Sequence, residues 1–459
     1  KDYLKNFPCD KKEYAPSRKR PDFLATTVGK DIKFYRWYPD YDRPFEIIIE
    51  DIDIPHFDDV LEHYGLTKGY IPKVIRPEFF ANDFFNELIA IFNPNLEKIN
   101  IQIVVNAVNQ IYNFMKFADK HTTQPLYLEL DIQRQKAVYE LFKRFDFINS
   151  LNPELAFEFR KVVLRAFQGG DLNQYITDDA VIRFVLALIG VIKKSENVLD
   201  FECGSGGFLA MAIQKNNLGM ENILGIDIDE LPYVVAKTYL AIYFNRVGNK
   251  IDQIPIIKDN GLLPIAGFED KKWDFIVGNP SAGHKYERID RDEILQYLEA
   301  DLDQNDLPDK YSEYNFSIQK ALRSCKVNGK ICLLLPEGLF ANSKDEMLRK
   351  YILKYCKIHA IVNLPQGVFE KGTDTKNPQK GKQASKQKMY ILYCSKLAEV
   401  IDGSGVEIDI EKQDYPIFMA VSKKSGKDNS GDYVYRKDAE GNLMFDGQGK
   451  KILEHDLEE

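Results

Sequence analysis

The chain has 459 residues, of which 44% are apolar and 29% are charged, and it contains 25 Tyr and 29 Phe. These values predict a folded protein of two or three domains and exclude wholesale disorder. The formal net charge of −8 argues against a protein that grips nucleic acid over its whole surface, although one basic groove or a basic partner remains compatible with it. No apolar run reaches the roughly 18–20 residues that span a bilayer, so no membrane association is expected.

Cysteine usage indicates the redox compartment. The six cysteines are scattered without a C-x-x-C pair, and the six histidines form no ligand-spaced cluster with them. This pattern predicts a reduced, cytoplasmic protein with no metal site.

The first 168 residues divide into two predicted regions. Prolines interrupt residues 1–75, which are expected to be an irregular N-terminal segment with one short strand at 45–50. From 76 to 168 the apolar residues recur with a period of 3.6, which predicts a helical domain whose apolar stripes form a core rather than a cofactor site.

Residues 169–400 show the pattern of a catalytic domain. Short β-branched runs alternate with helical segments, which predicts an α/β fold with a seven-stranded, mostly parallel, doubly wound sheet. Residues 401–459 are predicted to form a C-terminal hairpin and tail. The lysine-rich segment 371–388 is either a solvated loop or a loop that contacts phosphates.

A glycine turn follows the first strand of this sheet. The strand ends at Asp200, and Gly204, Gly206 and Gly207 lead into a helix. Glycines let a ligand approach the backbone closely, and such turns lie where ligands bind to parallel sheets. The spacing differs from that of a dinucleotide site, and an acid four residues before the first glycine suits a cationic sulfonium better than a pyrophosphate.

Acidic residues also follow the next two strands. Asp227 ends the second strand and could accept hydrogen bonds from ribose hydroxyls, while Asp259 and Asn260 follow the third and could meet an adenine ring. Each acid alone is typical of a solvated loop, but three after successive strands predict a nucleoside site.

The fourth strand ends in Asn279-Pro280. The pair contains no general base, but the Asn279 side-chain oxygen and the Pro280 carbonyl are acceptors that could orient an amine toward an electrophile. Alone, the pair is more typical of a plain turn.

Through these motifs, residues 169–446 resemble the modification (M) subunit of type I restriction-modification enzymes. Those subunits form a family of adenine-specific N6 DNA methyltransferases. The segment 200–208 is similar to its D-P-x-C-G-[ST]-G-G-F motif, and Gln174-Tyr-Ile-Thr177 to the segment before that motif. Asn279-Pro-Ser-Ala282 is similar to its N-P-P-[FY] motif.

The resemblance implies a class I, Rossmann-like methyltransferase fold, DNA methylation and S-adenosyl-L-methionine as cofactor. Asn279 and Pro280 would be catalytic and hold the target amine. The implied cofactor-binding residues are Tyr175, Ile176, Thr177, Asp200, Glu202, Gly204, Gly206, Gly207, Asp227, Ile228, Asp259, Asn260 and Asn279.

Ser281 and Ala282 depart from the family pattern, which has a proline and an aromatic there. The aromatic is implied to stack on the flipped adenine, so its loss predicts a weakened or inactive methylase, or a target held differently. Ser281→Pro with Ala282→Phe is expected to raise transfer.

The implied partners are DNA and a separate DNA-specificity subunit, with a nuclease subunit and a second M copy also compatible. Two other functions stay open: a non-catalytic cofactor-binding or scaffolding module, and a methylase of protein glutamine or RNA.

Overall fold

The structure, a computed structural model, divides into two compact units, Lys1–Pro72 and Lys73–Glu459. Apart from a few single positions inside them, it describes the ranges 23–28, 31–36, 45–47, 75–93, 101–117, 131–167, 177–281, 313–365, 388–397, 414–426, 433–446 and 451–457. The lysine-rich loop at 371–387 lies outside them.

The first unit contains a three-stranded antiparallel sheet in the order β1 (Phe23–Val28), β2 (Asp31–Arg36) and β3 (Phe45–Ile47). The expectation of an irregular segment with one strand was therefore incomplete, since only β3 was foreseen. The prolines dominated that prediction, whereas β1 and β2 are rich in β-branched and aromatic residues, which favour pairing.

Between residues 80 and 167, the described part of the chain contains four α-helices at the segments where the 3.6-residue period predicts them. A π-helical segment, Phe80–Phe85, continues into the first of them. The helices are α1 (Asn86–Phe92), α2 (Ile101–Lys116), α3 (Ile132–Arg144) and α4 (Pro153–Phe167).

The apolar stripes of these helices form a core, as predicted. Phe84 is fully buried, and its ring centroid lies 5.1 Å from those of both Phe142 and Phe147. Asp131 caps α3 by accepting a 2.9 Å hydrogen bond from the Arg134 N–H, which gives the helix a defined start.

The large sheet has eight strands in the order β11-β9-β10-β8-β7-β4-β5-β6. Its strands are β4 (Val198–Asp200), β5 (Ile223–Asp227), β6 (Ile256–Lys258), β7 (Trp273–Gly278), β8 (Cys325–Pro336), β9 (Cys356–Asn363), β10 (Met389–Lys396) and β11 (Phe418–Val421). Only β10 runs antiparallel to its neighbours, so the sheet is mostly parallel, as predicted. The predicted count of seven strands omitted β11, a four-residue edge strand that begins 22 positions after the end of β10.

Helices cover the sheet on both faces: α5 (Asp179–Ile189), α6 (Gly207–Asn216), α7 (Glu230–Tyr243), α8 (Glu313–Ser324), α9 (Glu337–Ala341) and α10 (Glu346–Tyr355). One face shares a continuous buried cluster with α1–α4, and the other has its own. The expected division at residue 168 between a helical and a catalytic domain stays a prediction.

Near the C-terminus, antiparallel bridges join Tyr435 to Leu453, Lys437 to Leu443 and Phe445 to Lys451. These segments connect to the edge of the large sheet through Asp456, which accepts a 2.7 Å hydrogen bond from the Lys423 N–H. Within the described part of the chain, no helix combines the length and apolarity that crossing a membrane demands.

The aromatic cluster around Phe84 should dominate the stability of the helical region. Phe84→Ala leaves a cavity among rings that have no space to collapse, so we expect the free energy of unfolding to fall by about 3–5 kcal/mol. Phe445→Ala, at a side chain 54% exposed, is the matched control and should change it by less than about 0.5 kcal/mol. Urea denaturation followed by circular dichroism measures both; equal effects would contradict the assignment of this core.

Candidate cofactor and target-amine site

The sheet brings the predicted motifs to one edge. Strands β6, β5, β4 and β7 are parallel neighbours in that order, so the residues after their carboxyl ends adjoin one another. In doubly wound sheets ligands bind outside these ends. Four motifs separated by up to 80 residues in the chain therefore face one region.

The glycine turn after β4 has the conformation that its residues predict. Gly204 and Gly206 have φ of +52° and +77°, in the left-handed region that L side chains rarely adopt. Gly207 begins α6 under tight packing, because a Cβ there would lie 2.6 Å from Arg160 Nη2. The space around Gly204 is open, which leaves the backbone accessible to a ligand, whereas Gly207 has no space for a side chain.

Asp227 fixes the position of this turn. Its Oδ2 accepts a 2.8 Å hydrogen bond from the Gly204 N–H, and its Oδ1 accepts one of 3.0 Å from the Asp229 N–H. Each oxygen retains a second lone pair, so the carboxylate can still accept from hydroxyls. Burial raises the pKa of Asp227 to about 6.

Ile228, the residue after Asp227, is 60% exposed. Ile228 thus offers apolar surface next to the Asp227 carboxylate. A nucleoside could place its base against the isoleucine while its ribose hydroxyls donate to the carboxylate. The contribution of Ile228 to a nucleoside site stays a prediction.

Asp200 lies buried between the glycine turn and β7. It is 1% exposed, and its Oδ2 has no hydrogen-bond partner among the described atoms. A Cβ on Gly278 would lie 2.8 Å from Asp200 Oδ1, so the carboxyl packs directly against the backbone before Asn279. Burial raises the pKa of Asp200 well above its usual range. An orphaned buried carboxyl here is suited to a cationic ligand.

The segment after β6 closes against β4 and β5. The Asp259 N–H donates to the Asp227 carbonyl at 3.1 Å, and Asn260 Oδ1 accepts from the Leu262 N–H at 3.0 Å. Gly261 touches the Phe201 carbonyl oxygen so closely that a Cβ would lie 1.6 Å from it. Sequence reasoning missed this glycine, although the turn pair Asn260-Gly261 signals it.

Asn279 is held from the N-terminal side of α5. Its Nδ2 donates a 3.0 Å hydrogen bond to Thr177 Oγ1, and Thr177 stands just before Asp178, whose carboxylate caps α5 through the Ala180 N–H at 2.9 Å. With the amide nitrogen engaged, the side-chain oxygen is the atom that can accept from an incoming amine. Thr177 therefore orients Asn279, and the cofactor contact expected for it stays a prediction.

Glu202 has partners that the sequence did not suggest. Its Oε2 accepts from the Ser281 N–H at 2.8 Å, and its Oε1 accepts from Ser317 Oγ at 3.0 Å. Its carboxylate therefore joins the turn after β4 to the loop after β7 and to α8.

Two further contacts had no sequence signal. Arg160 on α4 donates a 2.8 Å hydrogen bond to Asp179 Oδ1, and its guanidinium packs against Gly207. Ser317 on α8 donates to Glu202. Neither residue belongs to a motif, and tertiary packing alone brings them to the site. Of the predicted residues, Tyr175 and Ile176 lie outside the described part of the chain, as does Ala282.

The residues present fit S-adenosylmethionine. The orphaned Asp200 carboxyl suits its positive charge, Asp227 suits its ribose, and the exposed Ile228 with Asp259 and Asn260 suits its adenine. In the described ranges no cluster of three or more His, Cys, Asp or Glu side chains is arranged to hold a metal ion.

The comparison with known families agrees with this geometry. The model of the N-6 DNA methylase family matches residues 158–413, more than half of the chain. The chain belongs to the N-6 DNA methylase family. The match begins in α4 and includes every motif of the site, so the resemblance to adenine-N6 methylases is confirmed.

Individual relatives are more distant. The chain is 27% identical over 312 residues to the type I restriction enzyme EcoEI methylase subunit of Escherichia coli, an alignment that covers 65% of this chain and 58% of that protein. It is 26% identical over 214 residues to the type II restriction enzyme and methyltransferase RM.BcgI of Heyndrickxia coagulans, covering 44% of this chain and 30% of that one. The chain thus spans little more than half of the EcoEI subunit and less than a third of RM.BcgI.

A solved structure supports the fold. A class I S-adenosylmethionine-dependent methyltransferase from Listeria monocytogenes superposes with a TM-score of 0.53 at 17% identity, over 75% of this chain and 92% of that one. At this identity the likeness concerns the fold, and it agrees with the predicted class I methyltransferase architecture.

Cofactor affinity should fall in acid if Asp227 accepts from the ribose. Its carboxyl is ionised above its pKa of about 6 and protonated below it, so acceptor capacity is lost as the pH falls through 6. We expect binding of S-adenosylmethionine to be on the order of tenfold weaker at pH 5 than at pH 7.5.

Calorimetry on the wild type and on Asp227→Asn tests this expectation. The variant should bind weakly at both values and show a flatter pH dependence, because it lacks the ionisable carboxyl at position 227. Asp227→Ala should abolish binding while the circular dichroism spectrum stays unchanged. Wild-type affinity in Asp227→Ala would remove Asp227 from the site.

Proposed function

We propose that the chain is the modification subunit of a restriction-modification system and transfers a methyl group from S-adenosylmethionine to the N6 amine of adenine in DNA. The observation that carries the proposal is the anchored Asn279. Its amide nitrogen is bound to Thr177. Asn279 directly precedes Pro280, and the residue before it, Gly278, packs against the Asp200 carboxyl that suits a sulfonium.

The chemistry requires an oriented amine rather than a base. The Asn279 oxygen and the Pro280 carbonyl each accept one N–H of the target amine, which draws its lone pair out of conjugation with the purine and aims it along one direction. When bound, S-adenosylmethionine supplies the electrophilic methyl group. The added positive charge on the amine makes its N–H groups acidic, so the proton leaves to solvent.

Binding of DNA is proposed to depend on a partner. The chain carries a net charge of −8 and so has little general attraction for phosphates. Membership in the family, together with a relative named as a methylase subunit, supports a separate specificity subunit as the sequence reader. Association with a nuclease subunit or a second copy would extend the same assembly.

A gel-shift series checks the dependence on a partner. At physiological salt we expect the isolated chain to bind DNA only weakly and without sequence preference, and to join a tight complex when a specificity subunit is added. Repeating the series at two salt concentrations separates the phosphate contribution. Nanomolar, sequence-specific binding by the chain alone would contradict the proposal.

The altered motif predicts slow transfer, since Ala282 offers no ring to a flipped base. Ala282→Phe should raise methyl transfer to adenine by about tenfold, from the stacking contribution of about 1–3 kcal/mol per base. The combined change with Ser281→Pro, which the family pattern suggests, is not the right restoration here. Proline has no N–H, and the Ser281 N–H is bonded to Glu202.

The assay is tritium transfer to DNA with a specificity subunit present. Asn279→Ala in the Ala282→Phe background should remove the gain, because the amine then loses an orienting acceptor. Full-speed transfer by the wild type with no increase in Ala282→Phe would show that another residue holds the base. Transfer to RNA or to a protein glutamine, but not to DNA, would overturn the proposed substrate.

A further inference from the structure

The loop that carries Asn279 and Pro280 is held on two opposite sides. On one side Thr177 accepts from the Asn279 side-chain amide at 3.0 Å. On the other, two residues further along, the Ser281 N–H donates to Glu202 Oε2 at 2.8 Å. The second contact lies directly after the two acceptors that face the target amine.

Glu202 is itself fixed from a third segment of the chain. Ser317, fully buried on α8, donates from Oγ to Glu202 Oε1 at 3.0 Å. With one oxygen taken by the helix and the other by the loop, the carboxylate has a defined orientation. It therefore acts as a clamp between the turn after β4, the loop after β7 and α8.

The loop contact depends on the residue at position 281. Proline has no N–H, so a proline there could not donate to Glu202. Serine supplies the donor, and a hydrogen bond from an N–H to a carboxylate is stronger than one between neutral groups. Glu202 and Ser281 are thus matched to each other across 79 residues of sequence.

We propose that Glu202, supported by Ser317, is a positioning residue that holds the Asn279-Pro280 acceptors through the Ser281 N–H. The proposal rests on the proposed function and deepens it. It assigns Glu202 to the loop contact in place of the cofactor contact expected for it, since each carboxylate oxygen accepts a hydrogen bond from a different protein segment. It also gives Ser281 a role, because its N–H anchors the loop to Glu202. The loss of the aromatic at Ala282 is a separate change.

The decisive comparison is Glu202→Ala against Glu202→Gln. Glutamine keeps an oxygen for the Ser281 N–H, and its amide nitrogen can donate to the Ser317 hydroxyl, so it should retain most of the positioning without the charge. Alanine should lower kcat about 10- to 100-fold and leave the affinity for S-adenosylmethionine within about twofold. If Glu202 instead bound the cationic cofactor, both variants would lose cofactor affinity and glutamine would not rescue.

Ser317→Ala should reduce kcat by a smaller factor than Glu202→Ala, because the Ser281 contact survives without its support. Ser324→Ala, two turns further along the same helix, is the matched control and should behave as the wild type. Equal losses in the two serine variants would show a general weakening of α8 and would overturn the role of Ser317.

Ser281→Pro tests the donor directly. It should lower kcat about as much as Glu202→Ala does, and the double variant should be no slower than either single one, since both remove the same hydrogen bond. Additive losses would overturn the pairing. Ser281→Ala keeps the N–H and should keep the amide protection described next.

Hydrogen exchange read by mass spectrometry gives a readout that does not need activity. The Ser281 amide should exchange at least about tenfold faster in Glu202→Ala than in the wild type or Glu202→Gln. Unchanged exchange would refute the clamp even if the chain methylates adenine. Faster exchange with no methylation of DNA by any variant would uphold the clamp and refute the proposed function.

Discussion

The hydrogen bond from the Gly204 N–H to the Asp227 carboxylate ties two neighbouring strand ends together, and the site is built around it. It places the glycine turn in a left-handed conformation directly beside an acid that keeps acceptor positions for a ligand. Burial of that acid raises its pKa to about 6, although the hydrogen bond from Gly204 opposes the rise, so the acid that orders the turn is also the group that makes the site sensitive to pH. The Asp259 N–H, bonded to the Asp227 carbonyl, extends the arrangement to a third strand.

Helices outside the sheet complete what the strands begin. Thr177, at the start of α5, orients the Asn279 amide, and Arg160 on α4 pairs with Asp179 while packing on Gly207. The buried cluster of α1–α4 runs without interruption into one face of the sheet. The helical region therefore supports the glycine turn, and the start of α5 supports the loop that carries Asn279.

The departure of Ser281-Ala282 from the family pattern has two unrelated consequences. At position 281 an N–H replaces a proline ring, and the structure uses that N–H in a bond to Glu202. At position 282 the aromatic of the family pattern is absent, which under the proposed function concerns the binding of a flipped base. Restoring the family residues at both positions would therefore repair one contact and break another.

The sequence by itself determined the alternation of strands and helices, the order of the motifs and most of the residues that meet at the site. Asp200, Gly204, Asp227 and Asn279 were found because each follows a strand, and parallel strands bring their carboxyl ends to one edge. What only the tertiary structure decided was the direction of side chains from distant elements. Glu202 turned out to face Ser281 and Ser317, and the edge strand β11 and the β1–β2 pair became visible only as pairings. Periodicity reports which face of an element is buried, whereas a hydrogen bond between residues 79 or 115 positions apart depends on how the elements pack against one another.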